Sequence, residues 1–305
     1  MKFTRRIIVM LLAIMIPILI VGCQASAQNK VVQKSIKAKG FFWKAEKGND
    51  SIYLVGTMHP SKSNINYLND TMKKIQKETD ALAVETSSTN EKSREEILKY
   101  VNENRYLKEG EVKDLLTKEE GDKLDKILKS LNIKYQDVKN MTPMGVCNEI
   151  DNAMLTKAGY QEDGSDLWLE NIYNSNYKKI VGLEDIENHY SLLNATTKKL
   201  KEDINSFNSK TIEEYEKTLN ECMYAFVKGD SNYIRERQEK QYENDKESYD
   251  KLLKYRNIDM TNNIDQLAKE EDQYMVAVGT GHFFGPGNIL ELLEQKGYKI
   301  TKLKS

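Results

Sequence analysis

Two of the three histidines in this 305-residue chain end nearly identical segments. The sequence Val-Gly-Thr-x-His occurs at residues 55–59 and again at 278–282, each time after an apolar run that predicts a strand. Ligand-binding and catalytic groups of α/β sheets collect just past the carboxyl ends of strands, where a glycine lets the chain turn or a ligand approach. We therefore predict that His59 and His282 form one site, rather than each merely ending a strand. The motif glycines of this site are Gly56 and Gly279.

Charged side chains at other predicted strand ends could complete the site. Glu85 follows the apolar run 81–84, and Glu184 follows a second run at 179–183. A carboxylate in such a position can bind a divalent metal or act as a general base. Arg256 could hold a carboxylate or stabilise an oxyanion, or it could only end a helix. We include all three as candidate catalytic residues, with Glu85 expected at the same sheet edge as the first motif histidine.

Two further polar residues have weaker sequence contexts. Asp166, in the Gly-Ser-Asp segment 164–166, is either another polar group of the site or a helix N-cap. His189 follows Glu184 by five residues, without a strand and a glycine before it. We interpret His189 as a structural residue.

The donor types restrict the metal chemistry that the site could perform. With two motif histidines and no suitable cysteine, a tetrahedral Cys/His zinc site is excluded. Histidine with carboxylate and water ligands suits Mn²⁺ or a similar ion better. The chain lacks His-Glu-x-x-His, which excludes a zincin, and lacks Gly-x-Ser-x-Gly, which disfavours a serine hydrolase. The predicted metal ligands are His59, Glu85 and His282.

The elements that would position these residues lie at both ends of the chain. Aromatic and β-branched runs flank Lys-Gly-Asn-Asp at 47–50, which predicts a hairpin. Between about residues 90 and 256 helical patterns dominate, with a capping box at Thr117 and Glu120 and a second at Thr211 and Glu214. Further predictions are a helix stop at Gly229, a helix from Ser231 to about Tyr255, strands at 81–85, 179–184, 274–278 and 298–303, and helices at 69–80 and 288–296. We predict one α/β domain with a large helical insertion between N- and C-terminal sheet elements.

The N-terminus has the pattern of a bacterial lipoprotein signal peptide. A basic start precedes a 15-residue apolar run, which is short for a spanning helix, and the segment ends in Ile-Val-Gly-Cys at Cys23. We expect residues 1–23 to be a signal peptide with lipidation at Cys23, 24–39 a tether and 40–305 the folded domain. An uncleaved membrane anchor is the alternative. Either way, the expected location is the extracytoplasmic face of the cell membrane.

Charge and cysteine content limit the remaining possibilities. The formal net charge is −1, with 46 basic and 47 acidic residues, which argues against a nucleic-acid partner. Cys147 and Cys222 remain after Cys23. One disulfide is possible outside the cytoplasm, but two small buried residues are the simpler interpretation.

These motifs together resemble the TraB/GumN family, which includes the Tiki-type metalloproteases. The resemblance rests on an ordered set of short blocks: 53–59, 82–85, 164–166, 182–184, 256–257 with Met260, and 278–285 followed by a helix and Gly297-Tyr298. It implies a mixed sheet flanked by helices, similar to erythromycin esterase and the haem-uptake protein ChaN. In Tiki-type members the paired Gly-x-x-His motifs belong to a metal-dependent peptidase site, with Mn or Co favoured over Zn. Enterococcal members are linked to shutting down peptide pheromone signals.

We expect a lipid-anchored, metal-dependent hydrolase, peptidase-like, acting on a peptide or small molecule outside the cell. In this hypothesis His59, Glu85 and His282 hold the metal or activate its water, and Arg256 and Glu184 orient the substrate. One alternative is a non-catalytic surface lipoprotein that sequesters a peptide or haem. Another is a surface protein whose site is inert.

Overall fold

The computed structural model describes residues 34–192 and 194–305. The predicted signal peptide, the lipidation site Cys23 and residues 24–33 of the predicted tether lie outside the described residues. Within the described residues, no helix combines the length and the apolar character needed to cross a membrane.

A six-stranded sheet organises the fold, and a separate pair of short strands lies beside it. The strands are β1 Ile36–Lys37, β2 Phe41–Lys47, β3 Asp50–Thr57, β4 Ile65–Asn66, β5 Ala81–Val84, β6 Lys179–Gly182, β7 Tyr274–Gly279 and β8 Lys299–Lys302. The order in the large sheet is β6-β5-β7-β3-β2-β8. The pairs β6–β5, β5–β7 and β7–β3 are parallel, whereas β2 runs antiparallel to both β3 and β8. The sheet is therefore mixed, as predicted.

The central strands are continuous apolar runs because both faces of the sheet are covered. Successive side chains of a strand point to opposite faces. Leu54 and Val276 join the larger hydrophobic cluster, while their neighbours Val55 and Ala277 join a second cluster. Burial on both faces is typical of parallel strands in α/β proteins and explains the absence of apolar–polar alternation.

Helices cover the sheet and form the predicted insertion between β5 and β7. The helices are α1 Asp70–Glu78, α2 Glu91–Arg105, α3 Lys118–Ser130, α4 Tyr135–Val138, α5 Pro143–Lys157, α6 Ser165–Ser175, α7 Ile186–Leu192, α8 Thr197–Ser206, α9 Thr211–Lys228, α10 Ser231–Asn244, α11 Lys246–Tyr249, α12 Tyr255–Leu267 and α13 Ile289–Gln295. Val112–Leu115 and Thr280–Phe283 are 3-10 turns, and Asp250–Lys254 is a π-helical segment. The predicted α/β architecture with its helical insertion is confirmed.

Most of the helix ends that local sequence signals predict agree with the structure. Thr117 and Glu120 form the predicted capping box at the start of α3. Gly229 ends α9 in the left-handed conformation, with φ of 66°, which glycine adopts without a side-chain penalty. The strand pair β1–β4 includes Ile36 and Lys37, which fall within the segment predicted as a tether.

Two helix predictions were wrong. Thr211 is the first residue of α9 rather than its cap, and it accepts a hydrogen bond from the amide of Asn208. The helix from Ser231 ends at Asn244 because Asp245 leaves the helical conformation and its side chain caps the next turn, at the amide of Ser248.

Candidate functional site

The carboxyl ends of four parallel strands meet at one edge of the sheet. In the register of β3 with β7, Gly56 lies opposite Val278 and Thr57 opposite Gly279. The Thr280 hydroxyl donates to the carbonyl oxygen of Thr57 over 2.7 Å, which ties the two motif loops together. The two Gly-x-x-His segments therefore leave neighbouring strands side by side.

Glu85 lies between the second motif loop and an arginine. Its Oε1 accepts a hydrogen bond from the Gly279 amide at 2.7 Å and lies 3.6 Å from Nε2 of His282. Its Oε2 accepts from Nη2 of Arg256 at 2.6 Å. Burial opposes ionisation of this carboxyl, but His282, Arg256 and the Gly279 amide outweigh burial and hold its pKa well below the usual range. Glu85 is therefore a carboxylate at neutral pH.

Arg256 links Glu85 to a second carboxylate. Its Nε and Nη2 donate to the two oxygens of Glu184 at 2.8 and 2.6 Å, and its Nη1 donates to the carbonyl oxygen of Leu252. The arginine is 5% exposed, so this bidentate pair is shielded from solvent. Burial raises the pKa of Glu184, but the bonds to Arg256 and His189 dominate and lower it to about 2. Arg256 is the second residue of α12, and it holds the two carboxylates together.

His189, which the sequence suggests is a structural residue, joins this ion-pair network. Its Nδ1 lies 2.9 Å from Oε2 of Glu184 and 3.2 Å from Nη2 of Arg256. It lies in the last turn of α7, the helix that follows β6 after a short loop. A third histidine therefore lies beside the site, within the network that holds its carboxylates.

His282 is oriented by a residue that sequence reasoning missed. Its Nδ1 lies 2.5 Å from Oδ1 of Asn257, whose Nδ2 donates to the carbonyl oxygen of Gly287 at 3.0 Å. That second bond fixes Oδ1 toward the ring, so Nδ1 carries the hydrogen and the Nε2 lone pair is free. Burial is the main reason that the pKa of His282 falls to about 4, despite the opposing effect of Glu85. The ring is neutral at pH 7.

His59 lies in the wall of a cleft with two lobes. One lobe contains His189, Asp166 and acidic residues of the loop before α6. The other contains His282 and Arg256. His59 and Glu85 line both lobes, so the structure brings the two motif histidines to the same cleft.

The start of α6 supports the His59 segment. The Met58 amide donates to Oγ of Ser165 at 2.8 Å, and the Ser165 amide donates to the Met58 carbonyl oxygen at 3.1 Å. Asp166 is the second residue of α6 and lines the cleft, whereas the N-cap position is Gly164. Of the two interpretations of Asp166, the helix cap was wrong.

The donor set at this edge fits a divalent cation. His282 offers a free Nε2 while Asn257 holds its other nitrogen, which is the outer-shell arrangement common to metal-binding histidines. Glu85 is ionised beside it, and His59 faces the same cavity. Two carboxylates against one guanidinium also leave the site net negative.

A second possible donor group is already engaged. One ligand atom from each of Glu85, Glu184 and His189 lies within 4.8 Å of the others. However, both oxygens of Glu184 and Nδ1 of His189 are hydrogen bonded within the Arg256 network. An ion there would have to displace the arginine. His59, Glu85 and His282 line one cavity, but among the described residues they do not form a group whose ligand atoms lie that close together.

One protein-family model matches a range of residues that includes the whole site. The model of the TraB/PrgY/gumN family matches residues 41–302. The chain belongs to this family. The match spans every strand of the large sheet and every side chain of the site described above. No curated protein and no solved structure matches the chain.

For this TraB/PrgY/gumN family member, three polar residues that line or support the site were given no role in it from the sequence. Asn257 and His189 each lie close in sequence to a residue that was identified, beside Arg256 and five residues after Glu184. Gln238, on α10, lines the lobe that contains His282. No local pattern distinguishes Gln238 from the many polar residues of the charged helices around it.

Proposed function

We propose that this protein is a metal-dependent hydrolase of peptide or other amide bonds, anchored by a lipid on the extracytoplasmic face of the membrane. The observation that carries the proposal is the pairing of ionised Glu85 with neutral His282, whose Nε2 is free. Both groups are in the protonation state that binds a cation. Membership of the TraB/PrgY/gumN family supports the hydrolase because of the resemblance of its motifs to Tiki-type peptidases.

The roles of the residues follow from their contacts. His59, Glu85 and His282 would hold the ion, which when bound would supply Lewis-acid activation of the scissile carbonyl and of water. Asn257 fixes the tautomer of His282, and the Gly279 amide fixes one oxygen of Glu85. Arg256 and Glu184 position Glu85 instead of contacting substrate, because their polar atoms are hydrogen bonded within the network of these three residues.

Hydrolysis is tested with the purified protein, Mn²⁺ and a random peptide library read by mass spectrometry. We expect cleavage that EDTA abolishes and that His59→Ala and His282→Ala each remove. Asn257→Ala should weaken metal binding by roughly 10- to 100-fold, since it frees the His282 ring without removing a ligand. The exposed Gln266→Ala on α12 is the control and should retain full activity. Equal activity in the His59→Ala protein would refute the role of that residue.

Haem titration separates the hydrolase from a haem-sequestering protein. Ligation of haem iron by histidine gives a Soret band that the His282→Ala protein would lose. Metal-dependent turnover without that band supports the hydrolase, and the band without turnover supports sequestration.

The location is tested independently of the chemistry. In cells fed a clickable palmitate analogue, we expect label on the wild-type protein and none on Cys23→Ala. Protease added to intact spheroplasts should degrade the labelled protein. Protection from protease would contradict an extracytoplasmic location.

A further inference from the structure

One lobe of the cleft lies between α10 and the His282 loop. Arg237, Gln238 and Gln241 of α10 line it, opposite Gly281 and His282. Gln238 and Gln241 are three residues apart in the helix, so they face the same direction. The candidate metal ligands His59, Glu85 and His282 line the same lobe.

Gln238 is buried with an unused acceptor. The residue is 5% exposed, and its Oε1 is shielded from solvent without a hydrogen-bond partner in the protein. A buried acceptor without a donor is destabilising, so such groups are retained where a ligand or water satisfies them.

The motif loop makes room for this side chain. A Cβ atom on Gly281 would lie 2.9 Å from Nε2 of Gln238, and one on Gly285 would lie 2.7 Å from its Cβ. Both distances are shorter than van der Waals contact. The glycine before His282 therefore lets the Gln238 amide lie directly against the loop that presents the histidine.

We propose that Gln238 accepts a hydrogen bond from a backbone N–H of the substrate, and so makes the site select peptides over the corresponding esters. This inference rests on the proposed function, because it assigns the substrate class of the same cleft. A site that hydrogen-bonds an N–H discriminates strongly against an analogue that lacks it, since the buried acceptor is then left unpaired. A water molecule satisfying Oε1 would give no such discrimination.

The test compares one peptide with its ester analogues. The probe is acetyl-tetraalanine amide, and four analogues each replace one of its four alanine N–H groups by oxygen. Affinity is measured by calorimetry with the full-length protein in detergent and Mn²⁺, so that the result does not depend on turnover. We expect one analogue to bind about tenfold more weakly than the parent, the loss of one hydrogen bond. That difference should vanish in Gln238→Met and persist in the exposed control Gln266→Met.

A second variant distinguishes the loss of the acceptor from misfolding. Gln238→Glu keeps an acceptor at the same position, so it should retain the preference for the N–H. Equal affinity for all five probes, a preference that persists in Gln238→Met, or no binding of the parent peptide would each overturn the proposal. Peptide binding with the N–H preference but without hydrolysis would instead refute the hydrolase and leave the role of Gln238 intact.

Discussion

At the scale of single residues, Arg256 is the positive charge that pairs with both carboxylates of the site. It contacts Glu85, which lies 171 positions away in the sequence, and Glu184, which lies 72 positions away. Breaking a buried ion pair by removing one partner is strongly destabilising, because the remaining charge is left without compensation. Here the removal would leave two carboxylates beside each other.

We therefore expect Arg256→Met to lower the free energy of unfolding by about 3–5 kcal/mol at pH 7. Adding Glu184→Gln to this variant should recover part of the loss, because it removes one of the two uncompensated charges. Urea unfolding of the two single variants and the double variant measures both effects.

The matched control is Arg105→Met. Arg105 pairs with Glu149 at 2.6 Å, but both side chains are partly exposed. Its removal should cost about 1 kcal/mol or less. Equal losses at the two arginines would contradict the structural role of Arg256.

At the scale of elements, the contact between α6 and the end of β3 sets the place of His59. Gly164 lies where a side chain would collide with the chain: a Cβ atom would be 2.3 Å from the Met58 carbonyl oxygen and 2.6 Å from Cβ of His59. Its φ of −120° is accessible to any residue, so space and not conformation requires glycine here.

Gly164→Ala should push α6 away from the His59 segment. We expect a loss of about 1–3 kcal/mol in stability from overpacking. Hydrolytic activity should fall by roughly 100-fold because His59 moves. Gly182→Ala is the control: its nearest neighbour would be at 3.6 Å, and its stability should stay within about 0.5 kcal/mol of the wild type. Full activity in Gly164→Ala would show that this contact does not position His59.

At the scale of the whole molecule, a second acidic cluster couples stability to pH. Asp151 on α5 lies near Asp203 on α8, which forms an ion pair with Lys199. Burial, and then the charge of Asp203, raise the pKa of Asp151 to about 7. Sγ of Cys147 lies 3.9 Å from Asp203, and burial raises the pKa of this thiol as well. Cys147 and Cys222 are both free thiols.

The raised pKa makes the folded protein less stable as pH rises. In the unfolded chain Asp151 titrates near 3.8, so the stability that its protonated form contributes is complete below that pH. This contribution is lost progressively as pH rises from about 4 to about 7. Asp151→Asn should remove the dependence, so its gain over wild type should be roughly 2 kcal/mol larger at pH 8 than at pH 5.

Urea unfolding at the two pH values measures this difference, with the exposed Asp122→Asn on α3 as the control. A gain that is the same at pH 5 and pH 8 would show that Asp151 does not titrate in this range. Because the cluster lies between helices of the insertion, the effect should appear in global unfolding and leave the metal affinity of the cleft unchanged.

The sequence by itself determined the six strands of the large sheet, most of the helix ends that it predicted, and the two motif loops. Those features depend on interactions within a few residues, such as the burial of an apolar run or the capping of a helix by Thr117. Residues that come one to three positions after a strand end, among them Glu85, Glu184 and His282, were found for the same reason. In parallel strands the carboxyl ends share an edge, so local patterns were enough to bring them together.

Only the tertiary structure decided which polar helix residues belong to the site. His189, Asn257 and Gln238 lie on helices whose sequences are rich in polar residues throughout. Their partners depend on how each helix is rotated and set against the sheet edge, and helical periodicity does not specify this. The same reason applies to Arg256, whose role as the bridge between two carboxylates follows from contacts that span much of the chain.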